Sequence, residues 1–275
     1  MSRATDIFAA ICPHPPIIVP AIGRPADLKL VSKTINGMKQ LAEKFAQVKP
    51  KTVIVISPHG PVTYNEMSIV SSPALFGNFQ MFGDFQTKLN FENDLDLAGL
   101  IFEEAQKENI PVRQVNSPQL DHGTLVPLYY LIQNVPRTLL GTLKIVPIAY
   151  SYLDLETHFK FGKILKKVIN RSPASVNYGI VASGDLSHRL TLNAPAGYSS
   201  RGKEFDEKLI KLLKNKDIKG ILNMDPDLVE EAGECGYRSI IILLGILNGL
   251  NWQPEILSYE GPFGVGYLVA NFKLN

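Results

Sequence analysis

The chain has 275 residues, 45% of them hydrophobic and 20% charged, which is ordinary globular composition with apolar material for a large core. Its 28 basic and 26 acidic residues leave a formal charge of +2 spread along the chain, against the concentrated basic face of a nucleic-acid binder. Two cysteines, Cys12 and Cys235, are too few for a disulfide framework.

Met1 to Asp6 lead into a short apolar stretch broken by Pro13, without the longer apolar run of a secretory leader. That stretch, Ile7 to Ile11, reads as a buried strand. From Leu28 to Val48, apolar residues at Val31, Ile35, Met38, Ala42 and Phe45 keep helical spacing. Thr52–Ser57 is β-branched almost throughout and reads as a strand, and Met67–Val70 as another. Leu75 to Phe85 interleaves four phenylalanines with Gly77 and Gly83, shows no clear period, and is expected to be a long functional loop. A helix over Leu95–Lys107, a strand over Val112–Val115 and a helix over Thr124–Gln133 follow. Next come a strand at Lys144–Ala149, a helix at Leu155–Asn170 and a strand at Tyr178–Ala182. A helix over Lys203–Leu213 precedes a smaller helical segment, Cys235–Leu247 reads as a buried helix, and strands near Glu255–Tyr259 and Val265–Phe272 close the chain.

Strands alternating with amphipathic helices predict an α/β fold, a central sheet with helices on both faces. Nothing resembling a linker or an internal repeat interrupts residues 1–275, so a single domain is expected. The longest apolar run, Ile240 to Leu247 around Gly245, is far short of a membrane span, so a cytoplasmic protein without membrane association is expected.

The five histidines carry the chemistry. His14, His59 and His188 each follow a predicted strand, and His122 stands just ahead of a helix, the positions at which open α/β sheets bind ligands. Pro13-His14-Pro15-Pro16 and Pro58-His59-Gly60-Pro61 restrict the backbone around both imidazoles, which suits metal ligands. Asp121 beside His122 and Asp185 before His188 are placed to orient those rings, or to serve turns and caps. His158, among Glu156, Thr157 and Lys160, reads as solvated surface. Glu230, Glu231 and Glu234 crowd ahead of the last helix, where acidic residues also suit a helix N-terminus. Two histidines and one carboxylate would form the facial triad of non-haem Fe(II) oxygenases, whereas a Cys235 thiolate would shift preference to Zn or Cu.

These segments, with Leu120-Asp121-His122-Gly123, Ser183 to His188, Glu231 to Gly236 and Tyr259 to Tyr267, occur in an order that resembles the LigB-like class III extradiol ring-cleavage dioxygenases. The likeness spans nearly the whole chain and is strongest toward the Memo-related branch, often found with a radical-SAM protein. The resemblance implies an α/β fold, Fe(II) held by His14, His59 and Glu234, His188 as acid/base and His122 contacting substrate or oxygen. It implies a small aromatic substrate and is compatible with a homo-oligomer. Memo proteins use a cysteine where Cys235 stands, which implies a second reading: a metal-binding or redox module without ring cleavage. A zinc hydrolase has the ligands but lacks an HExxH helix.

Overall fold

The computed structural model describes residues 6–173 and 176–274; the first five residues, on which the expectation about a leader partly rests, lie outside these. Strand β1 (Ile7–Cys12) is followed by helices α1 (Pro25–Leu30) and α2 (Ser32–Val48). Strands β2 (Thr52–Ser57), β3 (Met67–Val70), β4 (Ala74–Phe79) and β5 (Asp84–Asn93) precede helix α3 (Leu95–Lys107) and strand β6 (Val112–Val115). Helices α4 (His122–Leu131) and α5 (Arg137–Leu140), strand β7 (Lys144–Ala149), helix α6 (Leu155–Ile169) and strand β8 (Tyr178–Ser183) come next. Helices α7 (Ser200–Lys214), α8 (Ile218–Leu222), α9 (Pro226–Ala232) and α10 (Tyr237–Leu247) lead to strands β9 (Trp252–Glu260) and β10 (Tyr267–Leu274).

The ten strands of the described residues join one mixed sheet in the order β4-β5-β7-β2-β8-β1-β10-β9, with β3 paired to β7 and β6 to β3. The centre, β7-β2-β8-β1, is parallel. Its strands are almost wholly buried, which explains why their sequences are continuous apolar runs rather than alternating ones. Successive residues feed opposite cores. Ile54, Ile56, Ile180 and Ala182 pack toward α3, α6 and α10, while Val53, Val55 and Val181 pack toward α2 and α4.

Helices α6 and α10 cross closely because Gly162 meets Gly245. A Cβ on Gly162 would lie 2.1 Å from the Ile242 carbonyl oxygen and 2.8 Å from Gly245 Cα. Among the described residues no helix is long and apolar enough to cross a membrane.

Three expectations change. The helix foreseen from Leu28 divides at Val31, which leaves helical geometry (φ −99°, ψ 22°) and sinks into the core between α1 and α2. Leu75 to Phe85 is not a loop: it is the body of the β4–β5 hairpin and its turn. Its alternation is hidden because Gly77 occupies a buried position whose space the Leu125 side chain fills, while Phe76 and Phe85 face outward. His158 is fully buried. Its Nδ1 donates to the Asp154 carbonyl at 2.8 Å and its Nε2 accepts from Ser151 N at 3.3 Å, so the charged neighbours lie on the other face of α6.

Candidate metal centre

The carboxyl ends of the central parallel strands gather the histidines. His14 leaves β1, His59 leaves β2 and His188 leaves β8, while His122 opens α4 and Cys235 sits just before α10. The apolar strands are register-locked by burial, so the residues after them emerge on one rim of the sheet. Gly184 and Gly236 let α10 close on that rim: a Cβ on Gly184 would lie 2.0 Å from Gly236 Cα. Cys235 N and Gly236 N both donate to the Asp185 carbonyl, at 3.3 and 2.9 Å.

His14, His59 and His122 each offer a ring nitrogen within 4.8 Å of the others, a group able to hold a metal ion. The His59 and His122 rings stack at 4.3 Å between centroids, and His14 meets both edge-on at 4.8 and 5.4 Å. His14 Nε2 and His59 Nε2 stand 3.1 Å apart. Ser183 Oγ gives its proton to the Gly123 carbonyl at 2.5 Å, so at 2.9 Å it accepts from His14 Nδ1. That bond leaves the His14 Nε2 lone pair facing His59. Two nitrogens at about 2.1 Å from one ion, at an angle between about 90° and 109°, lie about 3.0–3.4 Å apart, so this pair fits a metal.

Electrostatics favours neutral, metal-ready imidazoles. Burial, then the neighbouring rings of His59, His122 and His188, drives the His14 pKa well below its ordinary value. His59 is lowered to about 4, by burial first and then His122, against the opposing charge of Asp121. Burial lowers His122 and His188 as well. His188 Nδ1 donates to the Gly233 carbonyl at 2.6 Å, which leaves Nε2 as its acceptor, 4.0 Å from Asp185 Oδ2.

The aspartates expected either to orient the rings or to serve turns and caps make hydrogen bonds of the second kind. Asp121 caps α4 through Thr124 N and Thr124 Oγ1 and accepts from Ser57 Oγ at 2.6 Å. Asp185 Oδ1 accepts from His14 N at 3.0 Å, and burial raises its carboxyl to about 7. Glu234, the carboxylate ligand that the resemblance implies, stands just before α10. Its carboxylate accepts from Tyr237 N at 2.5 Å, serving the first turn of α10, and it is not part of the three-histidine group. Glu231 is paired with Arg201, at 3.3 Å. The neighbour that does reach the cluster is Cys235: its Sγ lies 3.6 Å from His14 Nε2 and 3.9 Å from His188 Nε2. Ser183 and Ser57 were missed as supports; the signal was a hydroxyl ending each apolar strand just before a site loop. Phe82, from the hairpin turn, meets the His122 ring at 5.4 Å.

Residues 8–270 match the family described as the catalytic LigB subunit of aromatic ring-opening dioxygenase. The chain is 36% identical over 272 residues to Protein CA_C1420 of Clostridium acetobutylicum, covering 96% of this chain but 56% of that protein. It thus spans little more than half the length of that relative. It is 22% identical over 306 residues to the 2-aminophenol 1,6-dioxygenase beta subunit of a Pseudomonas species, covering 100% of this chain and 96% of that one. In fold it is similar to the crystal structure of an uncharacterized Escherichia coli K12 protein, with a TM-score of 0.66, 16% identity and coverage of 96% and 98%. With the sheet, the histidine cluster and a family match from one end to the other, the chain belongs to the LigB family.

Proposed function

We propose that the protein is a non-haem Fe(II)-dependent extradiol dioxygenase that opens a catechol-type ring with dioxygen. The observation that carries this reading is the His14–His59 pair, two Nε2 atoms 3.1 Å apart with one tautomer fixed from behind by Ser183. His14 and His59 hold the ion and His122 supplies the third nitrogen within reach. When bound, Fe(II) supplies Lewis acidity toward the two ring hydroxyls and a path for electrons to dioxygen.

The chain's own residues do the rest. His188 Nε2, unprotonated because Nδ1 is spent on Gly233, takes a proton from a substrate hydroxyl and later returns it. Burial keeps that imidazole neutral near pH 7, ready to act as base. Phe82 and the stacked His59–His122 rings offer flat faces to an aromatic ring. The reading carries with it a small aromatic substrate, a single-domain cytoplasmic protein, a homo-oligomeric assembly, and neither nucleic-acid nor membrane partners.

The test is dioxygen uptake by the chain loaded anaerobically with Fe(II) and mixed with catechol or 2-aminophenol. Uptake matched one-to-one by a coloured ring-opened product supports the reading; full iron loading without uptake contradicts it. A second reading rests on Cys235. Its sulfur, 3.6 Å from His14 Nε2, favours a copper- or zinc-binding module, redox-active only with copper, without ring cleavage. Metal analysis of protein purified without added metal separates the two, iron supporting the first and copper the second.

A further inference from the structure

One cavity, of about 530 Å³, opens onto both His59 and His122. Its apolar side is built by Phe82 and Met81 from the hairpin turn and by Pro61, and its polar side by Asn78, Ser117 and Gln119. Among the described residues no lysine or arginine lines it. The one full charge on its wall among the described residues is Asp121, whose oxygens already accept from Ser57 and Thr124. Arg238, three residues beyond Cys235, does not line this space; its guanidinium lies over the Tyr152 ring at 5.5 Å.

A ligand entering here loses water on several sides. A carboxylate or phosphate on its ring would be desolvated beside one like charge, with no side-chain cation in the wall to offset that cost. An uncharged polar group meets no such penalty. Among the described residues the Gln119 amide and the Ser117 hydroxyl have no hydrogen-bond partner, and Asn78 uses only its Oδ1, to accept from Gln80 N. Those groups can donate to a carbonyl and accept from an amide or hydroxyl.

We propose that the cavity selects aromatic diols bearing an uncharged polar substituent and rejects those bearing an anionic one, with Phe82 holding the ring and Gln119 reading the substituent. This rests on the ring-cleavage reading above and adds the substrate's charge class to it. The Gln119 amide is exposed in the free chain, and a ring seated on Phe82 would cover it, after which the penalty for the wrong partner exceeds the gain from the right one.

The experiment is calorimetric titration of the zinc-loaded full chain, which binds ligand without turnover, with catechol, 3,4-dihydroxybenzamide and 3,4-dihydroxybenzoate. The amide is expected to bind at least about tenfold tighter than the acid. Gln119→Lys is expected to reverse that order, and Phe82→Ala to weaken all three alike. Circular dichroism confirms that each variant is folded. An acid that binds the wild type as tightly as the amide overturns the inference, as does acid binding that depends on Arg238 and ignores Gln119→Lys. If catechol itself fails to bind, the ring-cleavage reading falls and this inference with it; if catechol binds but the substituents are not distinguished, only this inference falls.

Discussion

His14 Nε2 and His59 Nε2, 45 residues apart in the chain, face each other across 3.1 Å at the ends of β1 and β2. A strand separates them in the sheet, for β8 lies between β1 and β2. The contact is therefore made by the loops after the strands, which the flanking prolines hold rigid. With His14 Nε2 fixed as an acceptor, His59 Nε2 at this distance shares with it either a proton or a bound cation. His14→Ala and His59→Ala are each expected to lower metal affinity more than about a hundredfold, beyond the usual effect of an outer partner. Glu234→Gln should leave it unchanged. Metal content by mass spectrometry after identical loading and desalting measures all three.

Ser183 acts behind His14, receiving its Nδ1 proton at 2.9 Å. Ser183→Ala removes the group that fixes the tautomer while leaving the ligand in place. Metal affinity should fall by about 10- to 100-fold, less than for loss of the histidine itself. Competition with a calibrated chelator reads this difference.

His188 is assigned to proton transfer and not to metal binding. His188→Phe should abolish ring opening with metal content intact. Loss of the metal in this variant would make His188 a ligand instead.

Asp206 is buried beneath the loop that carries His188, accepting from Ser187 N at 2.8 Å and from the Tyr259 hydroxyl at 2.6 Å. Burial raises its carboxyl from 3.8 to about 7. Between those values the folded chain holds a proton that the unfolded chain has released, so this group makes stability fall as pH rises from about 4 to 7. Asp206→Asn should flatten that fall by up to a few kcal/mol, measured by urea denaturation at a series of pH values. A slope equal to the wild type would show that Asp206 does not titrate there.

Gly162 is required by the crossing of α6 and α10, where any Cβ would strike backbone. Gly162→Ala should cost about 1–3 kcal/mol or more, because backbone gives way less readily than side chains. Thermal denaturation of the variant reads this loss as a lowered Tm.

The central sheet was legible because burial on both faces leaves strands such as Thr52–Ser57 as unbroken β-branched runs. The hairpin was not, because Gly77 stands where an apolar side chain would have marked the alternation, and Leu125, 48 positions on, fills the gap. His158 misled for a related reason. Helix neighbours describe the face they occupy, and its own face is turned to Ser151 and the core.

At the site, proline-framed histidines after strands were readable from local sequence. The choice between Glu234 and Cys235 was not. It depends on which of two adjacent side chains the start of α10 turns toward the cluster, and the approach of Gly236 to Gly184 decides that. The result points Cys235 at the histidines and commits the Glu234 carboxylate to Tyr237 N.

The most direct test of the metal centre is anomalous diffraction at the iron edge from crystals of the Fe(II)-loaded chain. The account predicts one peak within about 2.0–2.3 Å of both His14 Nε2 and His59 Nε2. A peak bound to Glu234 and away from His14, or no peak between the two imidazoles at full loading, would contradict it.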